Sequence, residues 1–355
     1  VLPGADVAGA SLVADKILQK LYEPFTIEER LIHARISIGI VLYPEHGGDV
    51  STLLRCADVA MHAAKQIGNC YEVYAPALNK HDAAGLELAG QLRQAIDRNQ
   101  LTLHYQPKVR LSDNSLAGVE ALVRWQHPER GLVSPVHFVP FAEHTGMIRP
   151  LTNWVLGQAL RQCGEWRRSG LALQIAVNLS ARNLHDPALL RTVSELLREH
   201  ALDPSYLRLE IVESTVMSDP TRALQVLQRF SDMGVGIAVD DFGTGYSSLT
   251  YLKKLPVHEV KIDKSFVTDM SHDAEAGVIV SSVIDLGHNL GLQVTAEGVE
   301  DRQSLALLKA QGCDLAQGYF LSRPIPPEQL SGWIQDTLRS TETWRSQPSP
   351  AFAAT

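Results

Sequence analysis

From about residue 100 onward the chain repeats one pattern: a short apolar, β-branched run, one or two polar residues, then a longer amphipathic stretch. The runs read LTLHYQPKV, AGVEALVRW, LQIAVNLS, LRLEIVES, VGIAVDDF, HEVKIDKSF, LQVTAEGVE and LAQGYFLS. Their length and composition predict strands, and stretches such as DPALLRTVSELLREH and DPTRALQVLQRFSDMG between them carry helical periodicity. Both stretches open on Asp-Pro, a helix-start signal, and the second stops at Gly234 as a helix C-cap does. Eight strands alternating with helices over about 240 residues predict a (β/α)8 barrel. An open doubly wound sheet is the alternative, but no glycine fingerprint follows an early strand.

Before residue 80 the order is helix, strand, helix, strand, read from ADVAGASLVADKILQKLYEP, HARISIGIVLY, VSTLLRCADVAMHAAKQIG and NCYEVYAP. This α+β piece is too short to be a comfortable domain alone. The expected division is a partial segment at 1–78, a connecting helix at 79–99, the barrel at 100–338 and a disordered tail at 339–355.

In barrels of this kind the active site gathers at the C-terminal ends of the strands. Those ends carry Gln106, Glu120 with Arg124, Asn178, Glu210 with Glu213, Asp240 with Asp241, Lys261 with Asp263, Glu297 with Glu300, and Gln317. One polar strand end is ordinary, whereas this succession predicts a ring of carboxylates, amides and cations around one mouth. Asp240 and Asp241 pose a separate question, because neighbouring strand residues face opposite ways. They read either as an Asp-Gly turn with a helix cap or as a bridge between divalent metals. Five acids at one mouth disfavour each other's ionisation unless cations intervene. Hard oxygen donors select magnesium, manganese or calcium. Two such ions are a familiar arrangement for phosphodiester hydrolysis, with Asp240 as the bridge, Asp241 on the second ion, and Lys261 and Glu297 positioning or deprotonating the water.

Composition narrows the classes. The formal charge of −8 argues against a nucleic-acid polymer as partner. Cys56, Cys70, Cys163 and Cys313 are scattered without a CxxC pair, which suits buried thiols in a reducing, cytoplasmic compartment. No apolar run approaches the roughly 20 residues needed to span a bilayer, and the residues from Val1 onward do not read as a basic-then-apolar leader. A longer parent protein, anchored in a membrane upstream of Val1, is compatible with this.

EALVRWQHPERGLVSPVHFVPFAEHTGMI resembles the signature stretch of the EAL family of cyclic di-GMP phosphodiesterases. HYQPKV, VNLSARNL, LRLEIVES, DDFGTGYSSLTYLKKLPVHEVKIDKSFV, TAEGVE and QGYFLSRPIP accompany it in family order, across roughly residues 82–337. The resemblance implies a TIM-like barrel with one reversed strand, hydrolysing cyclic di-GMP to linear pGpG. It implies that Glu120, Asn178, Glu210 and Asp240 hold one metal and that Asp240, Asp241 and Glu297 hold the second. Lys261 would orient the attacking water and Glu297 would serve as general base, while Glu213 would anchor the DDFGTGYSS loop. Gln106, Leu122, Arg124, Asp263 and Gln317 would contact the nucleotide. Magnesium or manganese would be the cofactor, with calcium inhibitory, and a homodimer is expected. Val212 and His144 depart from the usual threonine and glutamate, away from these ligands. Many family members have lost ligands and act as receptors; the full set here favours an enzyme, with a cyclic di-GMP receptor acting through a protein partner as the alternative. A magnesium-dependent lyase explains the acids but not the match from Gln106 to Pro326.

The first segment resembles the C-terminal half of a GGDEF diguanylate cyclase domain. HGGDV at His46–Val50 imitates the cyclase signature, but it follows the SIGIVLYP strand and reads as a loop turn, so cyclase chemistry is not expected of this segment.

Overall fold

The computed structural model describes residues 2–22, 25–27, 30–32, 36–67, 70–75, 90–244 and 252–335. They form two compact units, Val1–Gln91 and Leu92–Thr355. The expected tail at 339–355 and most of the expected connecting helix lie outside the described residues; residues 90–97 are helical, with Leu92 and Ala95 buried.

In the first unit, helix Val7–Tyr22 is followed by the short antiparallel pair β1 (Phe25–Ile27) and β2 (Arg30–Ile32). Strand β3 (Ile38–Ile40) then pairs in parallel with β4 (Tyr71–Val73) across helix Val50–Ile67. The β1–β2 pair is an addition to the pattern read from sequence; its three-residue strands are too short to show periodicity. A small core of Cys56, Val59, Ala60 and Tyr74 holds the helix on the β3–β4 pair. Asp49 accepts hydrogen bonds from the Thr52 N–H (2.9 Å) and hydroxyl (2.7 Å), so HGGDV is a turn that caps this helix.

The second unit is a closed barrel. Strands β5 (Leu101–Arg110), β6 (Leu116–His127), β8 (Gln174–Leu179), β9 (Leu207–Val212), β10 (Gly236–Phe242), β11 (Glu259–Ile262), β12 (Gln293–Ala296) and β13 (Leu315–Ala316) run around it in order, and β13 closes on β5. The short strand β7 (Gly131–Val133) pairs on the far part of β6. Strand β5 is antiparallel to both neighbours and every other barrel pairing is parallel. The cause is local. LSDNS joins β5 to β6 with Asn114 at φ 61 and Asp113 accepting from the Ser115 N–H, and so tight a turn permits only an antiparallel partner. Later connections carry helices such as Pro220–Asp232, capped by Asp219 through the Arg222 N–H, which have the length that parallel strands require.

Alternation sorts the strand residues. Ile175, Val177, Leu207, Leu209, Ile211, Ile237, Val239, Val260, Ile262 and Val294 are buried between sheet and helices. Each such side chain contributes about 1.5–3 kcal/mol relative to exposure. The intervening positions face the lumen, which is polar.

The pattern predicts a strand over the whole of LAQGYFLS, but β13 ends at Ala316. The chain turns because the Gly318 backbone lies against the segment that follows β12, with the Phe320 N–H donating to the Val299 carbonyl. A Cβ at Gly318 would come within 2.1 Å of the Val299 oxygen. Gly318→Ala is therefore expected to destabilise the chain by about 1–3 kcal/mol and to displace the adjoining Gln317, read as a lowered melting temperature; an unchanged melt would contradict this packing.

Candidate functional site

The site forms around Lys261, which β11 delivers into the lumen with no solvent exposure. Its Nζ lies 2.5 Å from Glu297 Oε1, 2.9 Å from Glu210 Oε2, 3.2 Å from Asp240 Oδ1 and 3.7 Å from Glu120 Oε2. These acids come from β6, β9, β10 and the position just after β12, so one cation gathers carboxylates that are remote in sequence. Burial alone disfavours the ammonium, but Asp240, Glu120, Glu210 and Glu297 together hold its pKa well above the lysine range.

Glu120 is also gripped by amides. The Asn178 Nδ2 donates to its Oε1 at 2.6 Å, and the Gln317 Nε2 donates to its Oε2 at 2.5 Å and to Gln106 Oε1 at 3.0 Å. With its nitrogen fixed between two acceptors, Gln317 is left with a buried Oε1 that accepts no hydrogen bond among the described residues.

Asp240 and Asp241 resolve the puzzle of adjacent acids through a backbone turn. Asp241 has φ 53, in the left-handed region, and the β10–β11 register slips between Val239 and Phe242. That conformation is costly for a non-glycine residue, and such strain concentrates at functional sites. It brings the second carboxylate round to the first: ligand oxygens of Asp240, Asp241 and Glu297 all lie within 4.8 Å of one another. The donor set is all-oxygen, as hard divalent cations require. Crowding shows in the proton affinities. Burial, with Asp240 and Glu120 nearby, pushes the Glu297 carboxyl up to about 8 against the pull of Lys261. Burial, then Asp240 and Asp263, push Asp241 up to about 6.

The remaining expected residues are placed as follows. Glu213 is buried, and its Oε2 accepts from the Gly243 N–H at 3.0 Å. Asp263 bonds Asp241 and caps the helix that follows, accepting from the Ser265 N–H at 2.9 Å. Arg124 is half-buried and donates to the Val123 carbonyl. Leu122 lines an apolar cavity of about 410 Å³ that it shares with Asn178, Val139 and Val155. Residues 245–251 of the DDFGTGYSS loop lie outside the described residues.

A second layer was not singled out from the sequence. Lys108, Arg208, Glu259 and Thr295 sit two positions from Gln106, Glu210, Lys261 and Glu297, on the same strand faces and deeper in the lumen. The Lys108 Nζ donates to Glu210 Oε1 at 2.5 Å and reaches Glu259 Oε1 at 3.4 Å. Glu259 also accepts from Arg208 Nη1 and from the Thr295 hydroxyl (2.6 Å). Burial opposes the Glu259 charge, but Lys108 and Arg208 outweigh it and hold the carboxyl at about 2. Period-two spacing was the available signal.

The proton affinities set a pH dependence for the metal-free protein. The folded state keeps protons on Glu297 and Asp241 that the unfolded chain releases above about pH 4. The native state then binds more protons, so stability falls as pH rises from there to about 8. Melts in EDTA between pH 5 and 8.5 should show that decline, and Glu297→Gln should flatten its upper part. A wild-type profile that rises or stays level over this range would contradict the crowding.

Known proteins share this architecture. The EAL domain family matches residues 89–324, and the diguanylate cyclase GGDEF domain matches residues 1–70. The bifunctional diguanylate cyclase/cyclic di-GMP phosphodiesterase MucR of Pseudomonas aeruginosa is 44% identical over 332 residues, covering 93% of this chain and 48% of that protein. The cyclic di-GMP phosphodiesterase PdeR of Escherichia coli is 38% identical over 328 residues, covering 92% of this chain and 50% of its own length. The chain thus spans about half the length of these relatives. A solved structure described as the PaMucR phosphodiesterase in complex with c-di-GMP superposes with a TM-score of 0.67 at 48% identity, covering 69% of this chain and 99% of that one. The polar-lined barrel with its one reversed strand is an EAL domain, and the chain belongs to the EAL domain family, with a partial GGDEF match ahead of the barrel.

Proposed function

We propose that this chain hydrolyses cyclic di-GMP to linear pGpG, using two magnesium or manganese ions held by the lumen carboxylates. The observation that carries the reading is the convergence of Asp240, Asp241 and Glu297 beside buried Lys261. The relatives named as cyclic di-GMP phosphodiesterases and the solved relative with c-di-GMP support it.

In this reading Glu120, Asn178, Glu210 and Asp240 would hold one ion, and Asp240, Asp241 and Glu297 would hold the other. The ions would supply an activated water and stabilise charge on the attacking and leaving oxygens. Asn178, whose nitrogen is committed to Glu120, keeps its amide oxygen for ligation. Glu297 would accept the proton of the attacking water, being the acid nearest the Lys261 ammonium. Lys261 has three N–H donors, and here they serve Glu297, Glu210 and Asp240. Orienting the water requires one of these acids to find another cation, so cation loading and water positioning are linked. Gln106, Leu122, Arg124, Asp263 and Gln317 contact the nucleotide, the orphaned Gln317 Oε1 accepting from a base N–H and Arg124 facing a phosphate. Glu213 steadies the loop that carries Asp241 through the Gly243 N–H. No described helix is long and apolar enough to cross a membrane; a cytoplasmic homodimer acting on this second messenger completes the reading.

Chromatography of cyclic di-GMP incubated with the protein and magnesium or manganese tests it. Rapid pGpG formation, suppressed by calcium with its looser coordination shell, is expected. Glu297→Gln should lower turnover by about 10²–10⁴-fold while substrate binding is kept. Bound but unchanged nucleotide with the wild-type chain would overturn hydrolysis and make the protein a receptor.

A further inference from the structure

The charge arrangement beneath the carboxylate ring points to a role for Lys108. Its side chain is buried (4% exposed) and lies across the lumen from β9. Glu259, the other carboxylate within its reach, is already held by Arg208 and Thr295, so the Lys108 charge falls mainly on Glu210. Glu210 is held at both oxygens, by Lys108 at Oε1 and Lys261 at Oε2. Only Oε2 then faces the ring of acids, and the lumen below is closed to it by the Lys108 ammonium.

Charge counting shows what this does. The five acids Glu120, Glu210, Asp240, Asp241 and Glu297, set against Lys261 alone, leave four negative charges, which two divalent cations bring to zero. Lys108 raises that sum by one, so at equal loading the site is one charge more positive than Lys261 alone would leave it. That is the sign that attracts a phosphodiester, and in a buried setting it is weakly screened.

We infer that Lys108 is a positioning residue of this site: it fixes Glu210 by one oxygen, and its buried charge weakens the hold on divalent cations while strengthening the hold on an anionic substrate. The inference rests on the function proposed above for the same residues.

The test uses the full chain and two substitutions of opposite sign. Lys108→Met removes a positive charge beneath the ring, and Glu259→Gln removes a negative one. Mn²⁺ binding, followed by electron paramagnetic resonance, should tighten on the order of tenfold in Lys108→Met and weaken in Glu259→Gln. The KM for cyclic di-GMP at saturating Mn²⁺ should move the other way in each, and Lys108→Arg should stay near wild type in both readings. A residue that merely props the barrel predicts weakening of both ligands in both variants, and that result, or no change in either, overturns the inference. If Lys108→Met does not fold, the sign of the Glu259→Gln shifts decides alone. Should the wild-type chain bind but not hydrolyse the nucleotide, the proposed activity fails, while Mn²⁺ affinity and nucleotide Kd still decide the role of Lys108.

Discussion

The ammonium of Lys261 is the interaction on which the rest of this barrel depends. Removing a charge from water costs several kcal/mol, and the lumen holds more carboxylates than cations. One lysine reaching four of them makes the arrangement tolerable, because each acid finds a positive or hydrogen-bonding neighbour. The apolar outer faces of the same strands, packed against helices, supply the stability that offsets it. Period-two alternation thus divides the labour: outward side chains build the fold, and inward ones build the site.

The lumen is layered. Near the mouth stand acids that remain under-compensated, as the raised proton affinities of Glu297 and Asp241 show. Beneath them Lys108, Arg208 and Glu259 pair with one another and, through Lys108, with Glu210 above, and all three line a cavity of about 230 Å³ at the opposite end. The lower layer carries more cations than acids, and the upper one is unbalanced in the direction that favours divalent cations. Backbone strain at Asp241 belongs to the same logic, because it places a second carboxylate where an ordinary strand would point it away.

Much of this was legible in the sequence. The alternation of β-branched runs and amphipathic stretches predicts the barrel, and strand ends plus barrel geometry pick out the mouth, where Glu120, Asn178, Glu210, Asp240, Lys261 and Glu297 do converge. The reversal of β5 follows from LSDNS, a turn too short for a crossover, although only the family resemblance brought it into the reading. Lys108 and Glu259 were harder. A charged residue inside a strand reads as solvent-facing, and Lys108 meets Glu210 only when strands 102 residues apart close into a ring. The sequence pattern overstates the extent of β13, since an apolar run does not reveal that Gly318 is pressed against another backbone. How Asp241 turns was equally hidden, because φ is set by the neighbouring strand and loop rather than by the aspartate itself.

The central claim is that the unbalanced acids at the mouth exist to hold two divalent cations around Asp240. Crystals of the full chain grown with Mn²⁺ and measured for anomalous scattering at the manganese edge test it most directly. The account predicts two peaks per barrel, one among Glu120, Asn178, Glu210 and Asp240, the other among Asp240, Asp241 and Glu297. An empty mouth at saturating Mn²⁺, or a cation bound away from Asp240, would contradict it.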